Sequence, residues 1–259
     1  MADDLLDFKK MSFLDHLDEL RRRLIGCIIA VGIAFVICWT FSEQIYAFLQ
    51  RPIQPYLDLY GSGRLSFTAL TDPFMLYMRV AFLAALFLAS PYILLQLWLF
   101  IAPGLYPSEK RYALPFVLFT TISFLGGALF AYQVAFPMLA GFLLAFGRQF
   151  NNIVTTDNYL SFLNRTLLGM GLVFETPVMI FFLSRLGLVT PRFLMKKFKY
   201  ALLVIFAAAA VITPSGDVVN LCVWALPMIA LYLIGVLVAT LFPGRRAARS
   251  ADGETDGNG

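Results

Sequence analysis

Residues 218–244 read VVNLCVWALPMIALYLIGVLVATLFPG and contain no Asp, Glu, Lys or Arg. A helix rises about 1.5 Å per residue and the hydrocarbon core of a bilayer is about 30 Å thick, so about 20 apolar residues cross it. This stretch is long enough, and it is not alone. Uncharged runs also cover 24–42, 80–108, 112–147 and 200–216, and 166–184 is interrupted only by Glu175. Six spans follow, at about 23–42, 74–101, 113–141, 160–186, 197–212 and 218–242. The fold class is therefore an all-α polytopic membrane protein.

Composition agrees. Of 259 residues, 60% are hydrophobic and 14% charged, with Phe occurring 26 times; soluble domains carry about 25% charge. Mean hydropathy is +0.78. Such a chain cannot cover a soluble surface, and it has too little charge for a disordered or nucleic-acid-binding protein. The net charge of +4 is read as membrane topology instead. Cys27, Cys38 and Cys222 form no disulfide framework and no metal spacing. Cys27 and Cys38 would stand roughly 16 Å apart on one helix, too far to bridge. The N-terminus, MADDLLDFKK, has neither the apolar core of a signal peptide nor the composition of a transit peptide. No residue-level repeat relates the two halves, so an inverted-repeat transporter gains no support.

Lysine and arginine orient the spans. The N-terminal segment, the 101–112 loop, the 185–199 loop and the tail together hold fifteen of them. The alternate side holds four, Arg51, Arg64, Arg148 and Arg165, and Arg79 falls inside the second span. Both termini are therefore expected in the cytoplasm. The first outer loop, about 43–73, carries Pro52, Pro55, Gly61, Gly63 and Pro73, with a short helix expected around Glu43–Leu49. The second, about 142–159, reads as a partly ordered cap. The last outer turn is only Thr213-Pro214-Ser215-Gly216-Asp217. Span five is short: Tyr200–Ile212 is about 20 Å of helix. Snorkelling of Lys196, Lys197 and Lys199 and local thinning of the bilayer both accommodate it. Pro91, Pro115, Pro137, Pro177 and Pro227 fall in or near spans and together suggest a curved assembly of helices.

Four places draw attention as functional. Glu175 sits near the middle of span four, and a carboxylate at that depth costs a few kcal/mol. It is either a protonated acid bonded between helices or a group facing a wet cavity or a moving partner; Gln96 in span two is a candidate neighbour. Ser12 to Leu24 form an amphipathic helix, with Ser12 and Asp15 as a capping signal and Asp18–Arg22 and Glu19–Arg23 as i,i+4 pairs. Its plain reading is a solvated interfacial helix whose arginines set topology. The loop from Phe100 to Arg111, rich in Pro and aromatic residues, is either a recognition surface or a simple hairpin turn; Glu109 is its only acidic residue and shares a membrane face with Glu19. Catalysis finds no residues. His16 is the sole histidine, no zinc or Walker motif is present, and Gly61-Ser62-Gly63 reads as a flexible turn. No enzyme activity, metal or cofactor is expected.

Three motifs in order, His16-Leu17-Asp18-Glu19-Leu20-Arg21-Arg22-Arg23-Leu24, Gln96-Leu97-Trp98-Leu99-Phe100-Ile101-Ala102-Pro103-Gly104-Leu105-Tyr106 with Glu109, and Phe174-Glu175-Thr176-Pro177, give the chain a resemblance. It resembles the TatC family, the multispanning core subunits of the twin-arginine protein translocase, over all but the first ten residues and the tail after about residue 243. The resemblance implies a six-helix glove-like arrangement with both termini cytoplasmic, in the bacterial cytoplasmic (inner) membrane. It implies recognition of twin-arginine signal peptides of folded cargo, transport driven by the proton-motive force, TatA- and TatB-like single-span partners, and homo-oligomers within the complex. Carried onto this sequence, the signal-peptide patch falls on Glu19, Arg21, Phe100 and Glu109. The polar site of the concave face falls on Glu175 and Gln96. Outer-loop and partner contacts fall on Pro52, Thr213 and Asp217. The last turn departs from the family's Thr-Pro-Pro-Asp by one additional residue.

The reading is then one transmembrane domain, 1–243, with a flexible cytoplasmic tail at 244–259. Its expected function is a non-enzymatic receptor and scaffold for signal peptides. The alternative is a proton-coupled transporter or channel using Glu175.

Overall fold

The computed structural model describes residues 13–60, 63–101, 113–150, 152–185, 187, 189–213 and 217–241. Helix dominates it, because in hydrocarbon a backbone can satisfy its own N–H and C=O groups only within a helix or a closed barrel. Helix α1 (Phe13–Thr40) is continuous. The sequence reading separated an interfacial helix ending at Leu24 from a span beginning near residue 23; the two are one rod, since no proline interrupts the chain between them. Ser12, the expected cap, lies outside the described residues.

Five helical passages are long and apolar enough to cross a membrane: Leu17–Thr40, Asp72–Phe100, Phe116–Phe146, Thr156–Arg185 and Val218–Leu241. The sixth, α10 below, is apolar but has only 15 residues, about 22 Å of helix. The chain is thus an all-α multi-pass membrane protein, with five full passages and one short one among the described residues. Ile28, Ile33 and Val36 of α1 are all more than 60% exposed, which suits a surface facing lipid.

Packing follows a row. Helix α1 packs chiefly on α4 (Asp72–Ile101), and α4 in turn on α5 (Ala113–Phe130). Helix α5 packs on α7 (Thr156–Phe174), α8 (Thr176–Arg185) on α11 (Val218–Leu241), and α10 (Phe198–Ile212) on α11. One end of the row carries two short helices, α2 (Ser42–Gln50) and α3 (Gln54–Tyr60); we call it the capped end. The sequence placed the first of these correctly and missed the second. Leu57 of α3 is fully buried, and α3 rests on α6 (Phe136–Phe146). The hydroxyl of Tyr132 donates to the carbonyl of Phe48 at 2.6 Å, and that of Tyr159 to Leu49 at 2.5 Å. These carbonyls end α2, where a helix leaves its last C=O groups without partners.

Three further departures from expectation have local causes. The third passage does not stop near residue 141 but continues through α6 to Phe146, and α7 begins at Thr156, so the second outer loop is shorter than 142–159. Thr155 ends that loop as a cap, its side chain accepting from Asn158 N at 3.4 Å. Pro137 does not break its passage: one π turn, Ala131–Ala135, precedes it, with Phe136 N–H donating to the Ala131 carbonyl. The two outer connections are tied by a single bridge, with Ser66 N–H donating to Val154 at 2.9 Å and Thr156 N–H to Ser66 at 2.8 Å. Pro91 lies within α4 without ending it. The remaining short helix, α9 (Pro191–Lys196), is capped by Thr190.

The α5–α7 seam depends on absent side-chain atoms. A Cβ on Gly127 would stand 2.6 Å from the Met170 carbonyl oxygen and 2.8 Å from Phe174 Cβ, whereas one on Gly126 would meet nothing within 4 Å. Gly127→Ala is therefore expected to destabilise the protein by about 1–3 kcal/mol, the usual cost of overpacking. Gly126→Ala is expected to change stability by less than about 0.5 kcal/mol. Thermal unfolding of both variants in the same detergent checks the contrast.

Candidate functional site

The first turns of α1 and the last turns of α4 run antiparallel and are joined by one arginine. Arg23 Nη1 donates to Gln96 Oε1 at 3.1 Å, and Arg23 Nε donates to Glu19 Oε1 at 3.0 Å. A second N–H of the same guanidinium, on Nη2, reaches the same carboxylate oxygen. Gly26 stands opposite Tyr92, whose hydroxyl would be 3.0 Å from a Cβ there, so the register holds over the next turn. One turn from the Arg23–Gln96 contact in the other direction come Glu19 on α1 and Phe100 on α4, at the same level of adjacent helices. Glu19 and Phe100 are half-buried, and Arg21 is exposed. The end of the row opposite the cap thus presents a carboxylate, an aromatic ring and an exposed arginine within a few turns. Glu109, with all of 102–112, lies outside the described residues.

Glu19 is already occupied by a guanidinium. One oxygen of its carboxylate, Oε1, accepts two N–H groups of Arg23. The sequence foresaw this i,i+4 pair. It did not foresee that Gln96 would complete it, because that bond joins residues 73 apart.

Gln96 turns toward α1: its side-chain oxygen is engaged by Arg23, and among the described residues it shares no hydrogen bond with Glu175. Helix α4 also packs on α7, which leads to Glu175. Glu175 stands at the break between α7 and α8. Its N–H donates to Leu172 at 3.1 Å and its carbonyl accepts from Met179 at 2.9 Å. Pro177 removes the donor to the Val173 carbonyl one turn back, and Ser123 of α5 donates to the neighbouring, part-buried carbonyl of Phe174 at 2.7 Å. Glu175 Oε1 is buried and meets no donor among the described residues. Ser123 is the residue that sequence reasoning missed here; a lone serine in an apolar run was the available signal.

At the capped end, Pro52 is half-buried in the turn between α2 and α3, where its missing N–H helps to end α2. Thr213 closes α10, its N–H donating to Ala209 at 2.8 Å, while its buried hydroxyl finds no partner among the described residues. Asp217 caps α11: it accepts from Asn220 N at 2.7 Å and from Asn220 Nδ2 at 2.9 Å. Residues 214–216 between them lie outside the described set. The structure therefore groups Glu19, Arg21 and Phe100 at one end, Pro52, Thr213 and Asp217 at the other, and Glu175 between. Arg79, unassigned from sequence, pairs with Asp157 of α7 toward the capped end. Among the described residues no cluster of His, Cys, Asp or Glu could hold a metal ion.

Residues 15–227 match the family described as Sec-independent protein translocase protein (TatC). The chain is 44% identical over 252 residues to the Sec-independent protein translocase protein TatC of Koribacter versatilis, covering 96% of this chain and 93% of that protein. It is 39% identical to the Helicobacter pylori (strain J99) protein of the same name, covering 93% of this chain and 94% of that one. A crystal structure of the twin-arginine translocase receptor TatC superposes with a TM-score of 0.76 at 33% identity, over 87% of this chain and 98% of that one. These are translocase components and not enzymes. With the motifs, the helix order and the relatives in agreement over nearly the whole length, the chain belongs to the TatC family of Sec-independent protein translocases.

Proposed function

We propose that this protein is the receptor and scaffold of a twin-arginine translocase: it binds arginine-bearing signal peptides of folded cargo at the uncapped end and recruits single-span TatA- and TatB-like subunits for export driven by the proton-motive force. The observation that carries this reading is Glu19, half-buried beside the level of Phe100 and already holding a guanidinium through two N–H groups. A site that takes one arginine in this way suits another. Arginine's planar fork matches a carboxylate by two bonds, which lysine cannot reproduce. Glu109 adds a second carboxylate at the same membrane face, and Phe100 offers an apolar and cation–π surface. A peptide arginine arriving at Glu19 displaces or shares with Arg23, which keeps Gln96 as an acceptor.

In this reading both termini are cytoplasmic and the capped end faces outward in the bacterial inner membrane; the excess of Lys and Arg at the uncapped end supports it. Single cysteines at Ser62 or Asn151 are expected to react with an impermeant thiol reagent from outside, and at Ser108 or Ser250 not to. Labelling of Ser108 from outside would reverse the orientation and remove the receptor reading.

Peptide binding tests the chemistry. An exposed ion pair is worth at most about 1 kcal/mol and a partly desolvated one about 2–5 kcal/mol when truncated, so Glu109→Ala is expected to weaken signal-peptide binding by roughly 1–3 kcal/mol. Replacing both peptide arginines by lysine is expected to cost a similar amount in the parent and little more in Glu19→Ala/Glu109→Ala, a non-additivity that marks direct coupling. If the lysine peptide loses equal affinity in both proteins, these carboxylates are not the arginine site.

Glu175 supports a second reading, since a buried carboxylate oxygen without a donor also suits an ion or proton site. As a partner-facing group it is expected to tolerate Glu175→Gln, while Glu175→Leu abolishes cargo export from inserted, folded protein. Export is measured in cells; a proton flux that needs Glu175 in vesicles of the purified chain alone would favour the channel instead.

A further inference from the structure

Arginines inside a membrane passage need an anion. Arg23 finds Glu19 and Arg79 finds Asp157. Arg165 of α7 is exposed and makes no ion pair or hydrogen bond among the described residues. It stands nine residues into a passage that begins at Thr156, about 14 Å along the helix. It also lines one end of a cavity of about 450 Å³, whose other walls include Gly169 and Leu172 of α7, Val211 and Ile212 of α10, and Met228 of α11. The lining is mostly apolar, with a cation at its rim.

The level of Arg165 is fixed by the short helix. A Cβ on Gly169 would lie 3.2 Å from Ile212 Cγ2, so Gly169 is level with the last residue of α10. Arg165 is one turn further toward the capped end, level with the turn that follows. Helix α10 supplies about 22 Å against a hydrocarbon core of about 30 Å, a mismatch that a bilayer accommodates in part by thinning. A bilayer thinned here would bring lipid phosphates to the level of Arg165, with the apolar cavity extending from it along α7 as far as Thr176.

We propose that Arg165 and this cavity form a binding site for an anionic phospholipid of the capped-end leaflet, the guanidinium fork holding the phosphate and the apolar walls an acyl chain. The charge favours an anion, and two N–H groups match a phosphodiester. The apolar walls favour a lipid over a free phosphate. A carboxylate on a partner helix would satisfy the charge as well, but at this level phosphate is the anion that the bilayer itself supplies. The site is independent of the receptor reading.

The test uses the full chain in neutral detergent, titrated with phosphatidylglycerol, with phosphatidylcholine of the same chains, or with inorganic phosphate. Native mass spectrometry and thermal unfolding provide the readouts. Phosphatidylglycerol is expected to bind at least fivefold more tightly than phosphatidylcholine and to raise Tm, and inorganic phosphate at equal concentration to leave Tm unmoved. Arg165→Gln is expected to lose at least fivefold in affinity for phosphatidylglycerol, and Arg165→Lys two- to fivefold because the charge remains without the fork. Arg79→Gln, an equal change of charge, is expected to stay within twofold of the parent. Should Arg165→Gln not fold, the lysine variant carries the comparison. Equal binding of the two lipids, unchanged affinity in the Arg165 variants, an equal loss in Arg79→Gln, or a Tm shift by inorganic phosphate would each overturn the proposal. Arg165→Gln with unchanged lipid binding but lost co-purification of single-span subunits would do so too, and would assign Arg165 to a partner's carboxylate.

Discussion

In a hydrocarbon surround, a backbone N–H or C=O that leaves the helical ladder has no water to turn to, and each such group costs several kcal/mol if left bare. The irregular points of this protein follow from that constraint. Where α7 ends at Glu175, Ser123 supplies a donor to the Phe174 carbonyl from the neighbouring helix. Where α2 ends, Tyr132 and Tyr159 reach across from two different passages to its last carbonyls. Where Pro137 withholds an N–H, one π turn redistributes the bonds around it. Departures from regular helix therefore sit where a neighbour can satisfy them.

The same constraint separates the functional regions. At the uncapped end, water is near and charged side chains can stand on the helix rods: Glu19, Arg21 and Arg23 extend α1 beyond its apolar part without ending it. The Arg23–Gln96 bond joins the two rods, so Glu19, Arg21 and Phe100 stand on two packed helices. In mid-passage the only carboxylate is placed at a helix break, where the ladder is already interrupted and local polarity is highest. At the capped end, α2 and α3 cover the row and their register is set by buried Leu57 and the two tyrosines.

The short α10–α11 hairpin connects these regions to the bilayer. Its tip closes on Asp217, which caps α11 through Asn220. Two buried polar atoms without a hydrogen-bond partner among the described residues, Thr213 Oγ1 and Trp224 Nε1, belong to this hairpin. Arg165 faces the same region from α7. The short member of this hairpin, α10, is the one passage among the described residues that a bilayer of ordinary thickness does not match.

Much of this was legible in one dimension. Hydrophobicity adds along the chain, so uncharged runs located the passages, the shortness of the fifth and the helix after Ser42. A carboxylate in an apolar run is conspicuous without coordinates, so Glu175 stood out, and three ordered motifs carried the family. What was not legible depends on which rods become neighbours. Gln96 and Glu175 are both conspicuous as polar residues in apolar sequence, but the bond that Gln96 accepts from Arg23 joins residues 73 apart and could not be read from the chain. The bonds from Tyr132, Tyr159 and Ser123, the glycine seam at Gly127 and the vacancy beside Arg165 likewise join residues far apart in sequence. Apolar periodicity tells a helix that it must be buried in lipid or protein, but not against which partner, and only the packed structure assigns the polar groups that this choice brings together.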